Sequence, residues 1–258
     1  MKIITWNVNR FDRAHNWYRK NKKPADLPIP ERKECAEKII KKLSELLTSL
    51  DDIAVLQEVP YSNEWETTWK ALFKNFETSL WFDVEPKRKD FNYNSNNVTI
   101  AVTIKGSNWT LRPFDSTKVK FGKDEKKACW NYVNRYVELE NGSKSILGLH
   151  LNFDPDQWQP ILDVSNNSEF SFIVGDFNIN DLLYPSQDEL NKLVNNYNRL
   201  IEKDIITQNQ TLVSLDNIFI HKDICTNPQI SVWDYCYISE QFSRKTRYSD
   251  HNACICEL

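Results

Sequence analysis

FSFIVGDFN, residues 170–178, is the stretch on which the reading of the fold turns. Phe172, Ile173 and Val174 follow one another without a polar residue between them, and the run then stops at Gly175-Asp176. A short apolar run without alternation is expected of a strand buried on both faces. The Gly-Asp stop places a carboxylate at the mouth of that strand. The same figure recurs along the chain. "IITW" leads to Asn7, "IAVLQ" leads to Glu58, and "GLHLNF" carries His150 and Asn152. "SLDNIFI" contains Asp216, and Asp250 and His251 precede the closing "NACICEL".

Between these strands the pattern changes period. Ala36, Ile39, Ile40, Leu43, Leu46, Leu47 and Leu50 recur at three- and four-residue spacing, which predicts an amphipathic helix over 32–50. Trp65, Trp69, Leu72, Phe73 and Phe76 predict a second helix over 63–76, with Asn63 and Glu66 set as a capping box. A third is predicted over 187–203. Further strands are expected over 79–84, 98–104, 132–139, 145–151, 215–220, 231–237 and 252–257. Strands and helices are interspersed, with no repeat, linker or low-complexity tract. The expectation is one layered α/β domain spanning 1–258.

Composition narrows the function. The chain has 258 residues, a formal net charge of -3 and 40% hydrophobic content. Global charge of that sign does not wrap a polyanion, so any contact with nucleic acid must come from local basic patches. No apolar run approaches the ~20 residues that cross a bilayer. The polar N-terminus does not resemble a secretory signal, so a cytoplasmic protein with no membrane partner is expected. None of the six cysteines forms a Cys-x-x-Cys pair, and they are expected to pack as small apolar groups.

The residues at the strand ends are carboxylates, asparagines and histidines, without thiolates. That set suits a hard divalent cation and a phosphate. Each has a plainer reading when taken alone: Asp216 as a turn former, His150 as a hydrogen-bonded structural residue, Glu58 as a surface charge. Their order along the chain is what favours chemistry. The run "WNVN", "LQEV", "GLHLNF", "VGDFN", "LDNIFI" and "YSDH" resembles the endonuclease/exonuclease/phosphatase superfamily, whose fold is DNase I-like. The resemblance extends from Trp6 to His251.

That resemblance implies a four-layer α/β/β/α sandwich with two packed mixed sheets. It also implies hydrolysis of phosphate esters with Mg²⁺, for which Mn²⁺ substitutes. Carried over by motif, Glu58 is the principal metal carboxylate, with Asn7 and Asp250 beside it. Asp176 and Asn178 orient and deprotonate the attacking water, and His251 contacts the phosphate. Asp216 holds His251, and His150 assists at the phosphate or leaving group. Asn152 and the cluster Arg244, Lys245 and Arg247 are candidate substrate contacts. Asn9, Val213 and Asn217 depart from the abasic-site branch of the superfamily. The expected activity is therefore phosphodiester hydrolysis on nucleic acid, with no obligate protein partner. The alternatives are a phosphatase or diesterase for a small nucleotide, sugar phosphate or lipid headgroup, and a non-catalytic binding module. Arg19, Lys20, Lys22 and Lys23 read as a solvated run. Trp17, Trp130 and Trp158 are candidates to border a substrate groove.

Overall fold

A computed structural model describes residues 1–11, 29–61, 65–80, 97–112, 135–151, 170–178, 194–201, 215–224, 227–233 and 251–258. Two six-stranded sheets account for about half of them. The first sheet has the order β11-β12-β1-β2-β4-β3. Its strands are β1 (Lys2–Asn7), β2 (Ile53–Pro60), β3 (Phe76–Ser79), β4 (Asn97–Ile104), β11 (Gln229–Trp233) and β12 (Ala253–Glu257). The second has the order β5-β6-β7-β8-β10-β9. It contains β5 (Thr110–Arg112), β6 (Tyr136–Asn141), β7 (Lys144–His150), β8 (Phe172–Asp176), β9 (Tyr197–Arg199) and β10 (Asp216–His221). Each sheet has one parallel pair at its centre, β1 with β2 and β7 with β8. The other pairings among the described strands are antiparallel.

The sheets pack face to face. Alternation along each strand sends Ile3, Val55, Ala101, Cys254 and Cys256 of the first sheet against Val137, Ile146, Phe172, Val174 and Ile218 of the second. Gly148 sets how closely they meet. A Cβ at that position would lie 2.6 Å from a Val55 methyl and 2.8 Å from a Val137 methyl. The opposite face of the first sheet, with Ile4, Trp6, Ala54, Leu56 and Ile100, packs under Ala36, Ile39 and Leu43 of the helix α1 (Ile29–Leu46). Helix α1 is the crossover that the parallel β1–β2 pair requires.

The first helix begins earlier and ends earlier than its periodicity suggests. Pro30 stands in its first turn, where a missing N–H costs nothing. Its end is decided by Asp52, whose Oδ2 accepts the N–H groups of Thr48 and Ser49 and turns the chain into β2. Leu50 is left 45% exposed. Of the predicted helix over 63–76, Asn63 and Glu64 lie outside the described residues; the rest is shortened to a wide helical turn at Trp65–Trp69 and a tight one at Lys70–Phe73, and Phe76 already belongs to β3. The end of the third predicted helix is a strand. Val194, Tyr197 and Ile201 fit helical spacing, yet Tyr197–Arg199 pairs antiparallel with the edge of β10. Residues 187–193, 202 and 203 lie outside the described set. β5 escaped prediction because three residues carry no period. Among the described residues no helix is long and apolar enough to cross a membrane.

Candidate active site

The apolar stripes between the sheets turn polar at one end. Counting by twos along the inward face, Ile3 is followed by Thr5 and Asn7, and Val55 by Gln57. Phe172 and Val174 are followed by Asp176, and Ile220 and Ile218 lead back to Asp216. Ile146 and Gly148 are followed by His150. Period-2 alternation thus delivers polar groups from both sheets to one end of a common core. That end is the candidate site.

Asn7 stands at its centre. Its Oδ1 accepts the N–H of Asn9 at 2.9 Å, which fixes the amide's orientation. The NH₂ then donates to Asp176 Oδ2 at 2.9 Å and approaches Glu58 Oε1 at 3.4 Å. Asn7 therefore links a carboxylate of each sheet without adding charge. Glu58 reaches this position through a break in the ladder. The β2–β4 register shifts between Leu56 and Val59, and Glu58 there has φ of 54°. A positive φ is strained for a residue with a side chain, and such strain gathers at functional positions. The bulge takes Glu58 out of strict alternation and leaves it half-buried at the rim.

Asp176 depends on the glycine before it. Gly175 has φ of 153°, and a Cβ there would overlap the carbonyl oxygen of Leu149 on the parallel neighbour. Asp176 Oδ1 accepts the N–H of Asn178 at 2.8 Å, and Asn178 itself has φ of 49°. This side-chain turn carries the Asn178 amide to the carbonyl of Leu151. Asp216 and Asp176 pair across β10 and β8, so their backbones are direct neighbours. Asp216 Oδ2 meets His251 Nδ1 at 2.7 Å, fully buried. The bond leaves Nε2 of His251 facing Asp176 Oδ2 at 4.0 Å. His150 Nε2 lies 3.7 Å from both Glu58 Oε1 and Asp176 Oδ2. Seven of the sequence-derived site residues, Asn7, Glu58, His150, Asp176, Asn178, Asp216 and His251, thus occur together at one end of the sandwich. Asn152, Arg244, Lys245, Arg247 and Asp250 lie outside the described residues, as do Trp17, Trp130, Trp158 and the run Arg19 to Lys23.

Two participants escaped the reading of the sequence. Arg135 points its Nη1 at the carbonyl of His150, 3.5 Å away. Trp6 donates its indole N–H to the carbonyl of His251 at 3.0 Å. Trp6 carried a signal, since it is the first letter of "WNVN". Asn217, one of the departures from the abasic-site branch, acts as a backbone mimic. Its Oδ1 accepts the N–H of Ile201 and its NH₂ donates to the carbonyl of the same residue.

Charge is unevenly supported here. Burial, then the neighbouring Asp216, pushes the Asp176 carboxyl up to about 6, against His251 and the bonds from Asn7 and Asn178. Burial holds His150 well below its ordinary range, with Arg135 and then His251 adding to the effect. His150 is therefore a neutral imidazole at pH 7. A buried carboxyl with too little positive charge around it is a site that a cation would relieve. Asp176, Asp216 and His251 offer ligand atoms within 4.8 Å of one another, a group able to hold a metal ion. Because Asp216 Oδ2 is already engaged by His251, the oxygens turned toward Asn7, from Glu58 and Asp176, suit a hard cation better.

No family model matches the chain, and no curated protein matches it in sequence. Solved structures match it in shape. The 3' phosphatase NExo from Neisseria, bound to a product DNA hairpin, aligns with TM-score 0.60 and 13% identity over 100% of this chain and 99% of its own. TDP2 from D. rerio, complexed with single-strand DNA product, aligns at 0.57 and 13%, over 99% and 97%. The endonuclease domain of TRAS1, a telomere-specific non-LTR retrotransposon, aligns at 0.55 and 13%, over 100% and 97%. At such identities the likeness is one of fold. It is a DNase I-like fold, a sandwich of two packed mixed sheets.

Proposed function

We propose that this chain is a divalent-metal-dependent phosphodiesterase that cleaves nucleic acid. The observation that carries the reading is the Asp216–His251 pair, 2.7 Å apart and buried, set 4.0 Å across from Asp176. Here one nitrogen is fixed by a carboxylate and the other is turned toward the polar end that Asn7, Glu58 and His150 share.

Each residue has a role that follows from its surroundings. Asp216 accepts from Nδ1–H, which sets the tautomer and leaves His251 Nε2 to meet a phosphate oxygen. Asp176, raised toward neutrality and flanked by Asn178, takes the proton of the attacking water. Neutral His150 and the amide groups of Asn7 and Asn178 face the phosphate without repelling it. Glu58, with Asp250, would hold Mg²⁺ or Mn²⁺, and Asn7, whose NH₂ points into the site, would orient the carboxylates beside the ion rather than ligate it. Such an ion supplies charge neutralisation at the non-bridging oxygens and the leaving oxygen. Arg244, Lys245, Arg247 and Asn152 would gather the flanking phosphates. The similar structures include two with DNA product, which agrees with a nucleic-acid substrate. The reading treats 1–258 as one domain of a cytoplasmic enzyme.

The test is a substrate panel. Purified protein with Mg²⁺ or Mn²⁺ should cut a DNA or RNA oligonucleotide, and a chelator should abolish cleavage. Rapid release of phosphate from a nucleotide or sugar phosphate, with every oligonucleotide intact, would replace this reading by the small-molecule one. Full activity after exhaustive chelation would remove the metal from it.

A further inference from the structure

Trp6 opens the motif whose next residue, Asn7, enters the site, and the proposed chemistry makes no use of its side chain. The β1–β12 ladder runs from Lys2↔Glu257 to Thr5↔Cys254. His251 lies beyond the last of these pairs, at a bridge position before β12 begins, and its carbonyl meets a side chain of β1. The indole receives it: Trp6 Nε1 donates to His251 O at 3.0 Å in a buried bond. The indole is itself held. It is 1% exposed on the helix side of the sheet and meets Trp233 edge-on, with centroids 5.3 Å apart and planes at 83°.

His251 is therefore gripped from both sheets. Asp216 of the second sheet holds its ring at Nδ1, and Trp6 of the first holds its main chain. One grip acts on the ring and the other on the main chain. Both together fix where Nε2 sits. A buried carbonyl that loses this donor gives up a bond that fixes its peptide, and a turn of that peptide would carry the imidazole with it.

We infer that Trp6 is a positioning residue, whose indole N–H fixes the His251 main chain so that Nε2 stays aligned on the reacting phosphate. The inference rests on the phosphodiesterase reading of His251. Loss of the N–H alone should lower kcat about tenfold and leave KM within about twofold, because the bond acts through His251.

The experiment replaces Trp6 by benzothienylalanine at that one codon, which exchanges the N–H for sulfur and keeps the bicyclic shape. A melting curve establishes that the variant folds. Oligonucleotide cleavage is then measured for wild type, the sulfur variant, His251→Ala and the combination of the two. The kcat loss should appear when His251 is present and vanish when it is absent. Trp233→Phe, which alters packing against Trp6 without removing the bond, should leave kcat unchanged. Proton NMR supplies a readout independent of turnover. The low-field imidazole N–H of His251, identified by its absence from His251→Ala, should move or broaden in the sulfur variant. Unchanged kcat with an unchanged resonance overturns the inference. So does an equal kcat loss in the His251→Ala background, or an equal loss from Trp233→Phe. If wild type cleaves nothing, the phosphodiesterase reading falls and the resonance alone decides whether Trp6 holds His251; if His251→Ala is as active as wild type, the inference falls while the phosphodiesterase reading stands.

Discussion

Replacing Asp176 by Asn should make the metal-free protein more stable while removing its activity. Asp176 is 1% exposed, and its carboxyl is pushed from the ordinary 3.8 to about 6. The folded state therefore binds this proton more tightly than the unfolded chain. Its contribution to stability is complete below about pH 4 and is lost as pH rises through about 6. Two units at about 1.4 kcal/mol each cost about 3 kcal/mol at neutral pH. The Asn variant never ionises. Its oxygen can still accept from Asn178, but its NH₂ meets the NH₂ of Asn7, forfeiting one bond worth about 1 kcal/mol. The net gain is about 2 kcal/mol, or roughly 4–8 °C in melting temperature for a chain of this size. Melting followed by circular dichroism in EDTA at pH 8 and pH 5 measures it. The gap between variant and wild type should shrink to less than half at pH 5, because wild type recovers much of its penalty there. Added Mg²⁺ should stabilise wild type more than the variant. A variant less stable than wild type at pH 8, or a gap that ignores pH, would refute the account of Asp176 as a buried carboxylate short of positive charge.

Other outcomes follow from the same geometry. His251→Ala should lower turnover by about two orders of magnitude or more in steady-state cleavage assays while the protein remains folded. Asp216→Asn should act more mildly and add little in the His251→Ala background; an equal loss there would break the proposed pair. Gly175→Ala places a methyl into the Leu149 carbonyl and should lower the denaturant midpoint sharply or yield no folded protein. Neutralising Arg244, Lys245 and Arg247 together should raise KM on an oligonucleotide and flatten its salt dependence by about 0.7–0.9 per lost phosphate contact. The same change should matter far less on a small chromogenic diester.

Much of the fold was legible because strands carry their burial in their spelling. "FIVGD", "IAVLQ" and "DNIFI" each read as a strand, and each is one. The errors came where local period and tertiary pairing disagree. Val194, Tyr197 and Ile201 sit at helical spacing, but the open edge of β10 takes Tyr197–Arg199 as a strand. The helix over 63–76 shortened because Phe76 was needed opposite Ile104 in β3–β4 pairing.

The candidate site divides the same way. Sequence by itself determined which residue types stand at the strand ends and in what order, because a polar residue closing an apolar run is a one-dimensional signal. Tertiary structure decided which of them meet. Asp216 and His251 are brought to 2.7 Å by strands of different sheets. Glu58 leaves the alternation through a bulge and a left-handed backbone that its residue type does not announce. Trp6, which reads as one more core aromatic, holds the His251 carbonyl only because β1 ends beside the point where the chain enters β12. Convergence of this kind depends on the register between two sheets and on breaks in that register. Neither is a property of any single strand, so neither can be read along the chain.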